Sequence, residues 1–342
     1  MTGIERVTAA LGGGRTDRPP FDFWAEEPTL NRLFAYLGHS DIERFLDDMR
    51  VDIRAFNAGQ PEAKDIGGGV FENMWGERFI YQETGWGKMR EDTRGALYDA
   101  ESIDELEAYE WPDNDVMDYS KLREQVRMAR DKKLAVRYGY ADIWQRPGLA
   151  RGIENHLADM LLNPGWAHYL SGVFTDFYLE DYKRAWEASG GEIDIFLVIS
   201  DLGSQRGPLI SGGMFGEFVA PYLIKMAELV HGFGAKLMFH SCGDIARLIP
   251  AIIGCGVDVL DPVQPAGADM SPASLSKYAG QVCFHGGIDV QRLLPEGTPE
   301  QIKREVRAYA QAFGAGYIAG PAHFFQPDTP PENIIALYQS FD

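Results

Sequence analysis

The chain has 342 residues, of which 45% are hydrophobic and 24% are charged, so it has the composition of a globular protein and enough length for a large core. Its formal net charge of -19 disfavours long-range attraction to nucleic acid or to an anionic membrane surface. No run approaches the roughly 20 apolar residues of a membrane span, and the N-terminus lacks the apolar region of a signal peptide. Three cysteines without framework spacing suit a reducing compartment. We therefore expect a cytoplasmic protein with no nucleic-acid or membrane partner.

Short β-prone segments alternate with longer helix-compatible segments along most of the chain. This alternation is typical of a parallel sheet covered by helices. The sequence predicts one helix over 213–231 and another that Thr298 caps, with Gln301 at the capping-box spacing. The eight candidate strands are 20–24, 51–56, 134–140, 193–200, 236–241, 257–261, 281–285 and 316–320. Eight strands with interleaved helices favour an α/β fold of the (β/α)8 TIM barrel type over an open doubly wound sheet, and no Gly-x-Gly-x-x-Gly follows any strand.

Residues 60–115 depart from this alternation. The stretch 71–87 is rich in aromatic residues and turn formers, which predicts a hairpin insertion near residues 70–90 beside the barrel mouth. Such a flap either closes a pocket or covers an edge of the barrel. Because no repeat, low-complexity tract or linker interrupts the chain, we expect residues 1–342 to form a single domain.

A histidine and a thiol end the fifth candidate strand, in the sequence Met238-Phe-His240-Ser-Cys242-Gly243. Alternate side chains of a strand share a face, so His240 and Cys242 can converge on one point. Imidazole and thiolate form a zinc-type ligand pair, and α/β barrels keep their chemistry at the carboxyl ends of the strands. The alternative is that both residues are buried for packing alone.

Other polar and aromatic residues follow the remaining strands. Asp201 and Gln205 come after the fourth strand, where a carboxylate can orient a histidine, take a substrate proton or cap the next turn. Tyr140 and Trp144 follow the third strand and form either a pocket wall or core packing. His285 ends the seventh strand and either lines the pocket or makes a structural hydrogen bond.

The C-terminal half resembles the uroporphyrinogen decarboxylase superfamily, which includes zinc-dependent cobalamin methyltransferases. The resemblance rests on four motifs and is strongest from residue 211 onward. The motifs are Gly207-Pro-Leu-Ile-Ser211, His240-Ser-Cys242-Gly243, Phe284-His285-Gly-Gly-Ile-Asp289 and Gly320-Pro-Ala-His323-Phe-Phe-Gln-Pro-Asp-Thr-Pro-Pro-Glu-Asn333. Membership implies a barrel whose active cleft lies at the carboxyl ends of the strands.

The decarboxylase branch implies an arginine-rich segment after the first strand that holds the substrate's carboxylates. Here that segment begins at Trp24, a candidate substrate contact, and carries Glu26 and Glu27 in place of cations. A polyanionic tetrapyrrole would be repelled there. The resemblance also implies that Asp52 occupies the position of the decarboxylase's catalytic aspartate, and His323 that of a histidine that contacts the substrate.

The methyltransferase branch implies a zinc ion held by His-x-Cys at the fifth strand and by a cysteine after the eighth. His240 and Cys242 match the first two positions, and His323 stands at the third. Histidine is a competent zinc ligand, so His323 is either the third ligand or a direct substrate contact.

The prediction is a zinc-dependent methyltransferase that moves a methyl group between a corrinoid, carried on a separate protein, and a small-molecule acceptor. His240, Cys242 and His323 would bind the metal, with Asp52, Asp201 and His323 as catalytic candidates. The candidate substrate contacts are Trp24, Tyr140, Trp144, Gln205 and His285. Two alternatives stay open: a metal-free decarboxylase of a small acid, with Asp52 and His323 as its polar centre, and a non-catalytic barrel that binds a corrinoid or tetrapyrrole. The oligomeric state is also open, with a dimer as one alternative.

Overall fold

The computed structural model describes residues 1–85, 87–265 and 268–342. Its strands are β1 (Ile53–Phe56), β2 (Lys64–Gly67), β3 (Val70–Glu72), β4 (Arg78–Thr84), β5 (Gly87–Arg94), β6 (Ala135–Asp142), β7 (Ile195–Ile199), β8 (Gly203–Ser204), β9 (Gly207–Pro208), β10 (Lys236–His240), β11 (Val259–Asp261), β12 (Cys283–Ile288) and β13 (Tyr317–Pro321).

Its helices are α1 (Gly3–Leu11), α2 (Glu27–Leu37), α3 (Ile42–Asp48), α4 (Ile103–Glu107), α5 (Leu122–Asp131), α6 (Gln145–Arg151), α7 (Ile153–Leu162), α8 (Pro164–Ser189), α9 (Gly212–Phe218), α10 (Ala220–Gly232), α11 (Ile249–Gly254), α12 (Pro272–Leu275), α13 (Leu293–Glu296), α14 (Pro299–Phe313) and α15 (Pro331–Tyr338). Short 3-10 turns occur at Asn114–Val116, Ala268–Met270 and Ser276–Tyr278. Among the residues placed by the structure, no helix combines the length and apolar character needed to cross a membrane.

Seven strands form one parallel sheet in the order β1-β6-β7-β10-β11-β12-β13, which makes a half-barrel. Each corresponds to a predicted strand. The first predicted strand, 20–24, is not a regular strand: Phe21 makes an isolated parallel bridge to Ala319 of β13, and its carbonyl accepts a hydrogen bond from the backbone of Asp52 at 2.9 Å. This segment therefore spans between the two edge strands of the sheet. Pro19 and Pro20 have no N–H to donate, which limits the ladder it can form.

The strands are buried on both faces, as parallel strands covered by helices usually are. One face packs against the helices, and the other points into the barrel. The interior cluster consists of Trp24, Ile53, Ala135, Ile195, Leu197, Ile199, Met238, Val259, Cys283 and Ile318, together with Val7 and Ala10 of α1. Helix α1 thus fills the amino end of the barrel. Because side chains alternate along a strand, the next inward positions toward the carboxyl ends are Arg137, His240, Asp261 and His285.

Strands β2 to β5 form a separate antiparallel sheet, and β4 pairs with β5 as a hairpin. Trp75 anchors this sheet on helix α8, with its ring centroid 5.0 Å from that of Phe174 and 4.6 Å from that of Phe177. Glu77 accepts a hydrogen bond from Arg146 of α6 at 2.7 Å. That this sheet is an insertion relative to other barrels stays a prediction.

The predicted helix over 213–231 is divided into α9 and α10. The break falls at Val219, directly before Ala220-Pro221. Proline lacks an N–H and its ring clashes with the carbonyl four residues earlier, so it begins a new helix more readily than it continues one. Helix α14 has the predicted start, since the side chains of Thr298 and Gln301 form a reciprocal capping box.

Candidate metal centre

His240 is the last residue of β10, and Cys242 lies in the loop just beyond it. The His240 Nε2 and Cys242 Sγ atoms are 3.3 Å apart, so the two side chains converge as strand parity requires. Trp24 covers the histidine, with the rings nearly parallel at 16° and their centroids 5.9 Å apart. The imidazole is therefore held at the carboxyl end of the sheet with one nitrogen directed toward the thiol.

The loop that carries Cys242 is held by a close approach of two glycines. Gly243 has a φ of +82°, and a Cβ there would lie 2.5 Å from the carbonyl carbon of Gly203. Asp201 accepts a hydrogen bond from the backbone N–H of Cys242 at 2.8 Å. A side chain at position 243 would push this loop away from β8, which explains why Gly follows the cysteine.

His323 comes two residues after β13 and meets the first pair. Ligand atoms of His240, Cys242 and His323 all lie within 4.8 Å of one another, a grouping able to hold a metal ion. His240 is buried, whereas Cys242 and His323 are half-buried and both line a cavity of about 580 Å³. Two nitrogens and one sulfur are a donor set suited to zinc, and three protein ligands with an open side are typical of catalytic sites.

The carboxylate of Asp261 orients His240 through the ring nitrogen that faces away from Cys242. The Nδ1 of His240 is 2.5 Å from Asp261 Oδ2, and Asp261 Oδ1 is 2.5 Å from the Nδ1 of His285. The Nε2 of His285 is in turn 3.2 Å from Asp22 Oδ2, which also accepts a hydrogen bond from the Trp24 indole at 2.7 Å. A carboxylate on the rear nitrogen is the usual support of a metal-binding histidine, so the residues present fit a metal centre.

We call the five buried charged or imidazole side chains inside the barrel the polar layer; they are Asp22, Arg137, His240, Asp261 and His285.

The charges of this layer control its protonation. Burial by itself would raise the pKa of Asp261, but the positive charges of His285 and His240 hold it well below its usual range. Burial would lower the pKa of His285, whereas Asp261 and the hydrogen bond to Asp22 raise it to about 9. Burial and the neighbouring charge of His240 both lower the pKa of His323, which favours the neutral imidazole that a metal requires.

His285 differs from its predicted role as a substrate contact. Its side chain is only 1% exposed and both ring nitrogens face carboxylates, so neither nitrogen is free for a ligand. Of the two alternatives for His285, pocket lining and a structural hydrogen bond, the structure shows the hydrogen bond. Trp144 is likewise in the core, 1% exposed and packed edge-on against His156, instead of at a pocket wall.

The other predicted contacts lie at varied distances from the centre. Asp201 Oδ1 is 3.7 Å from His240 Nε2, and its Oδ2 accepts a hydrogen bond from Gln145 at 3.0 Å. Tyr140 lines a second cavity together with Trp24. Gln205 is exposed at the turn between β8 and β9. Asp201, Tyr140 and Trp24 are therefore near the centre, whereas Gln205 points to solvent.

Asp52 lies at the opposite end of the barrel from His323, so the prediction that joined them in one polar centre is wrong. Asp52 precedes β1, and its carboxylate accepts hydrogen bonds from Arg6 at 2.6 Å, Arg18 at 2.7 Å and the backbone N–H of Phe21 at 2.7 Å. Parallel strands carry their amino ends on one rim and their carboxyl ends on the other. Asp52 is thus part of a structural ion-pair network.

Sequence reasoning missed three members of the polar layer. Asp261 ends a predicted strand, so the rule that pointed to His240 could also have selected it. Strand parity puts Asp22 on the same face as Trp24, and Arg137 on the same face as Ala135. A buried charge needs a partner, however, and the sequence does not show that Asp22 and Arg137 pair with each other.

Together these features define an α/β half-barrel with a His, Cys, His metal-ligand cluster at the carboxyl ends of its strands. The chain belongs to the uroporphyrinogen decarboxylase (URO-D) family, whose model matches residues 146–342. The resemblance predicted from the motifs is confirmed.

Relatives of two kinds share this family. A methylated-thiol--coenzyme M methyltransferase from Methanosarcina mazei is 30% identical over 201 residues, covering 56% of this chain and 49% of that protein. A uroporphyrinogen decarboxylase from Anaeromyxobacter sp. is 32% identical over 123 residues, covering 35% of this chain and 34% of that protein. The matched region thus spans half or less of the length of these curated relatives.

A solved structure described as a methyltransferase from Methanosarcina mazei superposes with a TM-score of 0.74 at 16% sequence identity. The superposition covers 99% of this chain and 98% of the other, so the two share the fold along their whole length.

Proposed function

We propose that this chain is a zinc-dependent methyltransferase that moves a methyl group between a corrinoid and a small acceptor. The observation that carries the proposal is the convergence of His240, Cys242 and His323 within 4.8 Å, with Asp261 behind His240. The 30% identity to a methyltransferase over 201 residues supports the same reaction class.

His240, Cys242 and His323 would hold the zinc ion, and Asp261 would keep the Nε2 of His240 facing it. A zinc ion bound there supplies a Lewis acid that lowers the pKa of a thiol or hydroxyl acceptor, so that the acceptor is a nucleophile at neutral pH. Asp201 is near enough to His240 to take the acceptor's proton or to hold the Cys242 loop.

The cavity of about 580 Å³ beside Cys242 and His323 is where the acceptor would enter. Its other lining residues are Glu26, Met89, Gln264, Val290, Gln291, Gln326, Pro327 and Asp328. Most of these are uncharged, and neither Lys nor Arg is among the described residues that line the cavity. The corrinoid would be presented at the cavity mouth by a separate protein. The free thiols of Cys242, Cys255 and Cys283 are in keeping with a proposed cytoplasmic location.

Zinc content and methyl transfer test the proposal together. Protein prepared without chelator should contain about one equivalent of zinc, the content expected of a three-ligand catalytic site. It should also demethylate methylcobalamin in the presence of a thiol acceptor. His240→Ala and Cys242→Ala should each lose zinc and activity, whereas Cys255→Ala, which removes a thiol elsewhere, should keep both.

A sample that neither contains nor takes up zinc, or a zinc-loaded sample that is inactive with thiols, tetrahydrofolate and a cognate corrinoid protein, would overturn the proposal. Uroporphyrinogen should not be a substrate, because Glu26 lines the cavity where its carboxylates would have to bind. Its conversion to coproporphyrinogen would favour the decarboxylase alternative instead.

A further inference from the structure

Arg137 is a buried arginine whose hydrogen-bonding capacity is largely unused. It points into the barrel from β6 and is only 5% exposed. Its Nε lies 3.3 Å from Asp22 Oδ2 as an ion pair, yet this nitrogen is buried without a hydrogen-bond partner. Within 1–85, 87–265 and 268–342, the guanidinium donates no hydrogen bond to any residue. A guanidinium has five N–H donors, so this group lacks a hydrogen-bond acceptor among the described residues.

Comparably buried arginines elsewhere in the chain are satisfied. Arg54 donates to Glu43, Asp47 and the carbonyl of Val51. Arg151 donates to Asp159 and to the carbonyl of Leu97. Arg137 thus differs from these two arginines, each of which donates through at least two of its nitrogens.

The Arg137 side chain lines a second cavity of about 330 Å³. Trp24 forms one wall, with the guanidinium carbon 4.0 Å from its ring centroid, and Tyr140 and Phe324 line the same space. Asn57, the residue after β1, adds one amide. The lining is mainly apolar and aromatic and contains two arginines, of which Arg54 is engaged by Glu43 and Asp47. Such a composition is typical of sites for small organic ligands.

The carboxylates near this cavity are already engaged. Asp22 faces Arg137, His285 and the Trp24 indole, and Glu43 pairs with Arg54 at 3.0 Å. Since Asp22 offsets part of the charge of Arg137, the pocket suits a monoanion better than a dianion. A planar carboxylate matches the fork of a guanidinium.

The cavity adjoins the candidate metal centre through Trp24. The same indole ring stacks on His240 at 5.9 Å and contacts Phe324, the neighbour of His323, at 5.3 Å. Trp24 therefore belongs both to the wall of this cavity and to the surroundings of His240.

We propose that Arg137 binds the carboxylate of this protein's small substrate, an organic monocarboxylate with an apolar or aromatic body that packs on Trp24 and Tyr140. Its identification as the substrate's carboxylate depends on the proposed function, whereas binding itself does not. Arg137 then determines specificity without taking part in the bond that forms or breaks.

The test is calorimetric titration of the purified protein with three carboxylates, namely acetate, benzoate and phenylacetate, beside benzamide as the uncharged match of benzoate. Benzoate or phenylacetate should bind at least about tenfold more tightly than benzamide, because charge-assisted hydrogen bonds exceed neutral ones by that much. Arg137→Gln should remove this preference, and Arg137→Lys should restore part of it. Arg206→Gln changes the net charge equally at an exposed turn and should have no effect.

Thermal melting of each variant establishes that it is folded. The comparison of benzoate with benzamide uses the unmodified protein, so its result does not depend on whether a variant folds. Equal binding of benzoate and benzamide, binding of none of the three carboxylates, or equally tight binding of inorganic phosphate would each overturn the proposal. Titrations with and without zinc separate it from the methyltransferase proposal. Arg137-dependent benzoate binding in a protein that takes up no zinc would retain the carboxylate pocket and reject the methyltransferase.

Discussion

The two ends of the barrel each contain a buried cluster of charged residues, but the clusters differ in how fully their groups are paired. At the amino end, Asp52 accepts hydrogen bonds from Arg6, Arg18 and a backbone N–H, so its oxygens are satisfied by the protein. At the carboxyl end, Asp261 pairs with both His240 and His285, whereas Arg137 of the same polar layer is less completely paired.

Arg137 has a buried Nε without a hydrogen-bond partner, and next to the layer the Nε2 of His240, the thiol of Cys242 and the imidazole of His323 converge. Buried polar groups without partners are costly, and they persist where a ligand completes them. Residue type alone therefore does not separate a structural cluster from a functional one, and the two clusters of this barrel differ in how their charged groups are paired.

Asp52→Asn tests the structural end and has the largest expected effect. Removing its charge leaves Arg18, and in part Arg6, without a buried counter-ion, which should lower the free energy of unfolding by about 3 to 5 kcal/mol. Urea denaturation measures this. Asp48→Asn is the control, because Asp48 is exposed and pairs with Arg44 at 3.8 Å, where little change is expected. Zinc binding should be unaffected. Loss of zinc from a folded Asp52→Asn protein would contradict the separation of the two ends.

Asp181→Asn sharpens the comparison with a carboxylate that is buried without a cation. Its Oδ1 accepts hydrogen bonds from the hydroxyls of Tyr119 at 2.8 Å and Tyr138 at 2.9 Å. Burial raises the pKa of Asp181 to about 6. The folded state therefore keeps a proton that the unfolded state releases near pH 4, and this contribution to stability is lost as pH rises from about 4 to about 6.

The asparagine keeps the accepting oxygen and does not titrate. Between pH 4 and pH 7 the free energy of unfolding should therefore shift in favour of the variant by about 2 to 3 kcal/mol relative to the unmodified protein. Denaturant titrations at the two pH values measure the shift. Asp176→Asn on the exposed face of the same helix is the control. Parallel pH profiles of Asp181→Asn and the unmodified protein would show that this carboxyl is ionised in the fold.

Asp261→Asn tests the functional end and has the smallest expected effect. Asparagine can still accept a hydrogen bond from His240 but provides no negative charge behind the ring. Zinc affinity should fall by about 10- to 100-fold, the usual cost of losing such a partner. Competition with a chromophoric chelator measures the affinity. Asp258→Asn is the control, since Asp258 precedes the same strand and pairs with Lys236 outside the barrel. Unchanged zinc affinity in Asp261→Asn would mean that this carboxylate only joins two histidines.

Much of the architecture follows from local signals in the sequence. Seven of the eight predicted strands are present because their apolar, β-branched runs are buried on both faces, and the capping box at Thr298 begins α14 as predicted. The meeting of His240 with Cys242 also follows locally, because strand parity acts over two residues. The family resemblance placed His323 at the third ligand position, but its distance from the first two could come only from the closure of the sheet.

Tertiary structure alone decided the rest. Asp52 and Asp261 are both buried aspartates at a strand end, yet Asp52 lies at the amino rim among arginines and Asp261 at the carboxyl rim between two histidines. From the sequence His285 could line the pocket, but in the structure its Nε2 faces Asp22, a residue more than 260 positions away. Local sequence determines which side chains face inward, because that depends on neighbouring backbone geometry. Which of them find a partner depends on contacts between strands that are distant in the chain, and that pairing is what leaves Arg137, His323 and Cys242 available to a ligand.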